Sequence, residues 1–152
     1  MSSEFSIAVH ALVYLNRMRT ASSEQIAKNV CTNPARIRKV MTKLCAFGLV
    51  GAKQGQKGGY FMVLQPECIT LDLVADAIGF DPIVQSWRSG DLDLDCVIAS
   101  GMAQVMDALY AELNRTCKKK LGLLSIKELD EELFNLRPKN ECEKTQPLDK
   151  SV

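Results

Sequence analysis

Between Ser22 and Gly48 the chain carries two helix-start signals and one helix-stop signal, so close together that the turn between the two helices is only Cys31–Asn33. Ser22 followed by Gln25 is a capping box, in which hydroxyl and amide satisfy backbone N–H groups that a helix start leaves without partners. Asn33-Pro34 is a cap followed by proline at the first helical position, where a fixed φ suits the helix and the missing N–H is not needed. Gly48 then offers the left-handed conformation that ends a helix. Two short helices joined by so tight a turn must cross at an angle, which is the helix-turn-helix arrangement.

The flanks extend this unit. Upstream, Phe5, Ala8, Leu12 and Leu15 recur at helical spacing and predict a first helix from about Ser6 to Met18. Downstream the period becomes extended. Leu49–Lys53 and Tyr60–Leu64 read as strands joined by the glycine-rich segment Gln54–Gly59. Thr70 is placed to cap a fourth helix with Leu71, Val74, Ala75 and Ile78 on one face and Gly79 at its end, whereas residues 80–94 hold no sustained period and read as a loop. From Asp95 to about Lys120, Ile98, Met102, Val105, Leu109, Leu113 and Cys117 are spaced by three and four, as on a long helix with one apolar seam. Ser125 and Glu128 form a second capping box ahead of Ile126, Leu129 and Leu133.

The fold class that follows is mainly α with a small β-hairpin wing: a winged helix-turn-helix plus a long dimerisation helix. Residues 1–66 form the winged helix-turn-helix, 67–94 a helix and connecting loop, 95–136 the dimerisation helix and a C-terminal helix, and 137–152 a polar tail expected to be disordered.

Net charge is informative only when divided along the chain. Residues 1–64 hold nine Lys or Arg against two acids, Glu4 and Glu24, for +7; residues 65–152 hold ten against sixteen, for −6. The first half is therefore the half suited to phosphate. No apolar run approaches the length of a membrane span, and Met1–Ser6 lacks the basic and then apolar layout of a signal peptide, so the expected location is the cytoplasm, with no membrane partner. Phosphate-loop, metal-cluster and histidine-based nucleophile patterns are lacking, and His10 is the single histidine, which argues against an enzyme.

On the third helix Ile37, Val40, Met41 and Leu44 form the buried stripe, leaving Ala35, Arg36, Lys39, Thr42 and Lys43 outward and Arg38 on the flank. That face is basic and contains no acid. Arg or Lys at the start of such a helix donates to guanine O6 and N7, and later basic residues grip phosphate. Ser23, Thr32 and Asn33 before it, and Lys53, Lys57, Gly58 and Tyr60 of the hairpin, complete the expected DNA-binding set. Ile98, Met102, Val105, Leu109 and Leu113 are the expected dimerisation residues, so the partner would be duplex DNA with an inverted-repeat operator.

Ser23-x-x-Ile26-Ala27, the helix leading to Gly48-Leu49-Val50, Gly58-Gly59-Tyr60, Ile69-Thr70-Leu71 through Ala77-Ile78, and Ser125-Ile126-Lys127-Glu128-Leu129 together resemble the Rrf-two family of bacterial transcription regulators, over roughly residues 5–133. The resemblance implies a winged-helix domain, a dimerising long helix, and repression or activation at palindromic promoters. Family members that hold an iron-sulfur cluster carry three cysteines before the dimerisation helix and often a nearby histidine. Here that stretch has Cys96 alone, with Ala99 where the histidine is expected, so no cofactor is carried over. Gln54-Gly55 also stands where many members have Arg-Gly, so a wing arginine does not carry over to Gln54.

Without a secretory signal, the six cysteines read as reduced thiols rather than a disulfide framework. Cys45 and Cys117 fall beside apolar stripes and read as packing, and Cys68 is uninformative. Cys31, just before the recognition helix, is expected to favour thiolate, whereas Asp91, Asp93 and Asp95 oppose ionisation of Cys96. Cys31, Cys96 and Cys142 are the redox candidates, with a Cys31–Cys96 bond across the dimer as the sharpest expectation and Cys142 as the alternative resolving thiol. The leading function is a homodimeric DNA-binding regulator, expected to repress, under thiol control. Two alternatives stand beside it: an iron-sulfur sensor with atypical ligands, and a winged-helix protein-interaction module that does not bind DNA.

Overall fold

A computed structural model describes residues 3–136; the tail from residue 137 on, Cys142 included, lies outside them. Six helices and one hairpin follow in order: α1 (Ser3–Met18), α2 (Ser23–Val30), α3 (Pro34–Phe47), β1 (Val50–Lys53), β2 (Gly59–Met62), α4 (Leu71–Ile78), α5 (Val97–Leu121) and α6 (Ile126–Asn135).

The local signals act as their chemistry requires. The Gln25 N–H donates to Ser22 Oγ at 3.2 Å and the Ser22 N–H donates to Gln25 Oε1 at 2.8 Å, closing the capping box of α2. Asn33 Oδ1 accepts from the Arg36 N–H at 2.9 Å, and Gly48 takes φ +87° to end α3. Cys31 ends α2 at φ 59°, a left-handed conformation that lets the chain reverse within three residues. Thr70 departs from expectation. It stands at the cap position of α4, but its hydroxyl donates to the Asp72 carboxylate instead of accepting a backbone N–H.

One core joins α1 to α4, α6 and the hairpin. Leu12, Ile26, Ile37, Met41, Leu44, Ile69, Val74 and Ile126 are each fully buried. Burial of such an aliphatic side chain is favourable by about 1.5–3 kcal/mol, so this cluster fixes the angle at which α3 is presented.

The antiparallel wing pairs Val50 with Met62 and Lys53 with Gly59. Tyr60 anchors it to the start of α2, exchanging both backbone bonds with Ala21 at 2.8 and 3.1 Å. Gly59 has φ +148°, and a Cβ there would stand 2.6 Å from the Ala21 carbonyl oxygen, so only glycine permits this approach. β1 starts one residue later than expected, and β2 starts one earlier and ends at Met62, ahead of a 3-10 turn at Pro66–Cys68.

The last two helices behave differently. α6 returns to the winged helix: Ile126 enters the core, Asp130 receives Arg17 at 2.7 Å, and the Arg17 guanidinium lies 3.7 Å above the Phe134 ring. α5 buries only Ala103, and along its seam Ile98 is 70% and Val105 64% exposed. It is held at its C-terminal half, where Asn114 bridges the backbone of Ile83 and Lys118 pairs with Asp76 at 2.9 Å. Among the described residues no helix is long and apolar enough to cross a membrane.

Candidate nucleic-acid interface

The core stripe of α3 is completely buried, which leaves Ala35, Arg36, Lys39 and Thr42 exposed along the opposite face. The position of this helix is set by α2 and by the hairpin that follows Gly48. Lys53 and Lys57 are exposed on the wing, and Gly58 turns so tightly that a Cβ would collide with the Lys53 carbonyl. Helix face and wing thus come from the same stretch of chain and are fixed to one core.

The basic residues of α3 fall into two groups. On one edge Arg36 Nη2 donates to Ser3 Oγ at 2.6 Å, and the ammonium groups of Lys39 and Lys43 each lie 2.6 Å from a different oxygen of Glu4. On the other edge Arg38 Nη1 reaches Ser23 Oγ at 3.2 Å and Glu24 Oε1 at 3.3 Å. Glu4 and Glu24, the two acids of residues 1–64, both face cations of α3. The Lys39 and Lys43 hydrogen bonds hold the Glu4 carboxyl down at about 2. The Glu24 carboxyl is also lowered, first by its own backbone N–H and then by Ser23, with Arg38 contributing less.

This arrangement revises the sequence-based picture of single residues. Lys43, expected on the outward face, is half-buried and also donates to the Ile78 carbonyl at 3.3 Å. The reason is an earlier start of α1: the helix begins at Ser3 rather than Ser6 and carries Glu4 over α3. Phe5 stacks on Phe80 with centroids 4.6 Å apart and pins that first turn. Ser23 is nearly buried and accepts from Arg38, Thr32 is half-buried in the turn, Asn33 is occupied as the α3 cap, and Tyr60 is half-buried, with burial pushing its phenol upward. Sequence reasoning missed Ser3, Glu4 and Glu24 as neighbours of the basic face. The available signal was that Glu4 and Glu24 are so few in so basic a half.

The cysteines also differ from expectation. Cys31 is exposed, but its Sγ faces the carbonyls of Lys28 and Asn29 at 3.9 Å, at the end of α2, rather than the N–H groups that open α3. Cys96 is the exposed cap residue of α5, and the N–H groups of Ala99 and then Ile98 pull its thiol below the ordinary range. The amides that open α5 thus set the direction of the shift at Cys96, against the opposite effect that the sequence led one to expect from the three aspartates. Burial pushes the Cys45 thiol up.

Iron-sulfur clusters are held chiefly by sets of thiolates. Cys96 is the single thiol between residues 80 and 116, and among the described residues no three His, Cys, Asp or Glu side chains converge as a metal site. Among the described residues this donor set does not fit a cluster held within one chain.

A family model for Rrf2, an iron-dependent transcriptional regulator, matches residues 1–132. No curated protein gives a significant match. Solved structures do. A Lactobacillus plantarum protein assigned as a transcriptional regulator is 22% identical, with 90% of this chain and 93% of that chain covered at a TM-score of 0.76. IscR of T. potens is 15% identical, with 91% of each chain covered and a TM-score of 0.67. CymR, the global cysteine regulator of B. subtilis, is 16% identical, covering 87% of this chain and 96% of its own at 0.64. At these identities the likeness is one of fold.

Proposed function

The chain belongs to the Rrf2 family of transcriptional regulators, and from that premise we propose that it binds an inverted-repeat operator as a cytoplasmic homodimer, acts as a repressor, and responds to thiol oxidation. The observation that carries this reading is the basic α3 face, exposed at Ala35, Arg36, Lys39 and Thr42 and set beside the Lys53 and Lys57 wing. In this reading Arg36 meets base edges, Lys39, Arg38 and the wing lysines meet phosphate, Asn33 caps the start of α3 and Ser23 holds Arg38.

Dimerisation is supported by the seam of α5. Ile98, Met102, Val105, Leu109 and Leu113 lie on one stripe and all remain exposed in the single chain. A contiguous apolar stripe of this kind is characteristic of an interface. Two copies joined there would present two α3 helices to successive turns of the major groove.

Thiol control rests on Cys96, exposed and lowered by the α5 amides. Peroxide would convert the Cys96 thiolate to sulfenic acid with release of hydroxide, and attack by the Cys31 or Cys142 thiol would close a disulfide with loss of water. Tying the start of α5 to the reading head would alter the half-site spacing. The reading is tested by electrophoretic shift with the protein's own promoter region, reduced and peroxide-treated. A specific complex weakened by peroxide supports it; absence of any complex with the reduced protein overturns it.

A further inference from the structure

Glu4 divides its carboxylate between two ammonium groups, Lys39 on one oxygen and Lys43 on the other, both at 2.6 Å. This is the fork that the two non-bridging oxygens of a DNA phosphate would otherwise enter. Resting on the DNA-binding reading above, we propose that Glu4 is a specificity-determining residue: an internal competitor of DNA phosphate that withholds Lys43, and restrains Lys39, from backbone contact on non-cognate DNA.

Three features support the assignment. The carboxylate is fixed from behind, because Glu4 lies in the first turn of α1 and the adjacent Phe5 stacks on Phe80. Helix N–H groups in that turn favour an anion, so the competitor stays charged. The two lysines are held unequally: Lys39 keeps 67% of its side chain exposed, whereas Lys43 keeps 37% and also donates to the Ile78 carbonyl. Lys43 is thereby removed from the set that answers phosphate, and Lys39 remains within reach. Specificity is a difference between two affinities. A phosphate on random DNA must displace a carboxylate already in place, whereas a cognate site adds base contacts that do not involve Glu4. Glu4 therefore weakens non-specific binding more than specific binding.

The test uses the full chain with a random-sequence duplex, with binding followed by anisotropy from about 50 to about 200 mM salt. Glu4→Gln keeps the shape and removes the charge. It is expected to bind random DNA more tightly and to steepen the log–log salt slope by about 0.9 for each Lys43 released. Adding Lys43→Met to Glu4→Gln should restore the wild-type slope. An unchanged or shallower slope in Glu4→Gln, with wild type still binding, overturns the role of Glu4 and leaves the DNA-binding reading intact. Failure of wild type to bind at low salt overturns both. Lys43→Met in the wild-type background gives an independent check if Glu4→Gln folds poorly. An unchanged slope is expected there, because Lys43 is already occupied, and a slope shallower by about 0.9 per protomer overturns the proposal.

Discussion

Glu4 Oε2 lies 2.6 Å from Lys43 Nζ, so the first turn of α1 is tied to the third turn of the helix expected to read DNA. The pair has a consequence for acid stability. The Glu4 carboxyl is held at about 2 against an ordinary 4.5, by the Lys39 hydrogen bond first and Lys43 next. A carboxyl lowered by folding contributes stability above its unfolded value, and that contribution is lost as pH falls through the folded value. Wild type should lose stability between about 4.5 and about 2 in excess of Glu4→Gln, in urea denaturation across that range. Parallel curves would show that the ion pairs contribute nothing to folding.

Arg36 is the base-reading candidate at the start of α3, and in the free protein it donates to the Ser3 hydroxyl. If Arg36 makes a bidentate guanine contact on the operator, Arg36→Ala should cost about 1–3 kcal/mol there and relax preference at one base pair. Equal binding of both proteins to operator and random DNA would remove Arg36 from base reading.

Val105 and Leu109 are 64% and 47% exposed on the α5 seam. Charged substitutions, Val105→Glu and Leu109→Glu, should give folded monomers in sedimentation and abolish tight operator binding, because an unpaired carboxylate resists burial. Dimers that persist would place the interface elsewhere.

Helix boundaries were legible wherever the signal is local. The Ser22–Gln25 and Ser125–Glu128 boxes and the Asn33 cap involve residues three apart, and each forms as read. The face of α3 was legible in its stripe but not in its electrostatics, since the partners of Lys39 and Lys43 lie on another helix and are brought in by the tertiary fold. Cys96 illustrates the same limit. Its charged neighbours are plain in the sequence, whereas the amides that lower its thiol exist only once α5 has formed. The return of α6 to the core also escaped a reading by segments, because Ile126 gives no sign of which apolar surface will bury it.

Ile126 is fully buried, and its N–H donates to the Ile69 carbonyl at 2.9 Å. Ile126→Ala should destabilise the winged helix by about 2–5 kcal/mol in chemical denaturation. A change under about 0.5 kcal/mol, the usual range for surface sites, would mean that α6 is not part of this core.

A thiol response through Cys96 should disappear in Cys96→Ser, and in the native protein Cys96 should be alkylated before Cys31 and Cys68, given its exposure and its lowered thiol. Alkylation rates monitored by peptide mass would contradict this if Cys31 or Cys68 reacted faster.

Reading of duplex DNA by two α3 helices carried on one dimer is measured by selecting binding sites from a pool of random duplexes with the reduced full chain, followed by sequencing. The expected result is enrichment of an inverted repeat whose half-sites are centred about 34 Å apart or at a multiple of that distance. Enrichment of a single unrepeated site, or no enrichment at all, would contradict it.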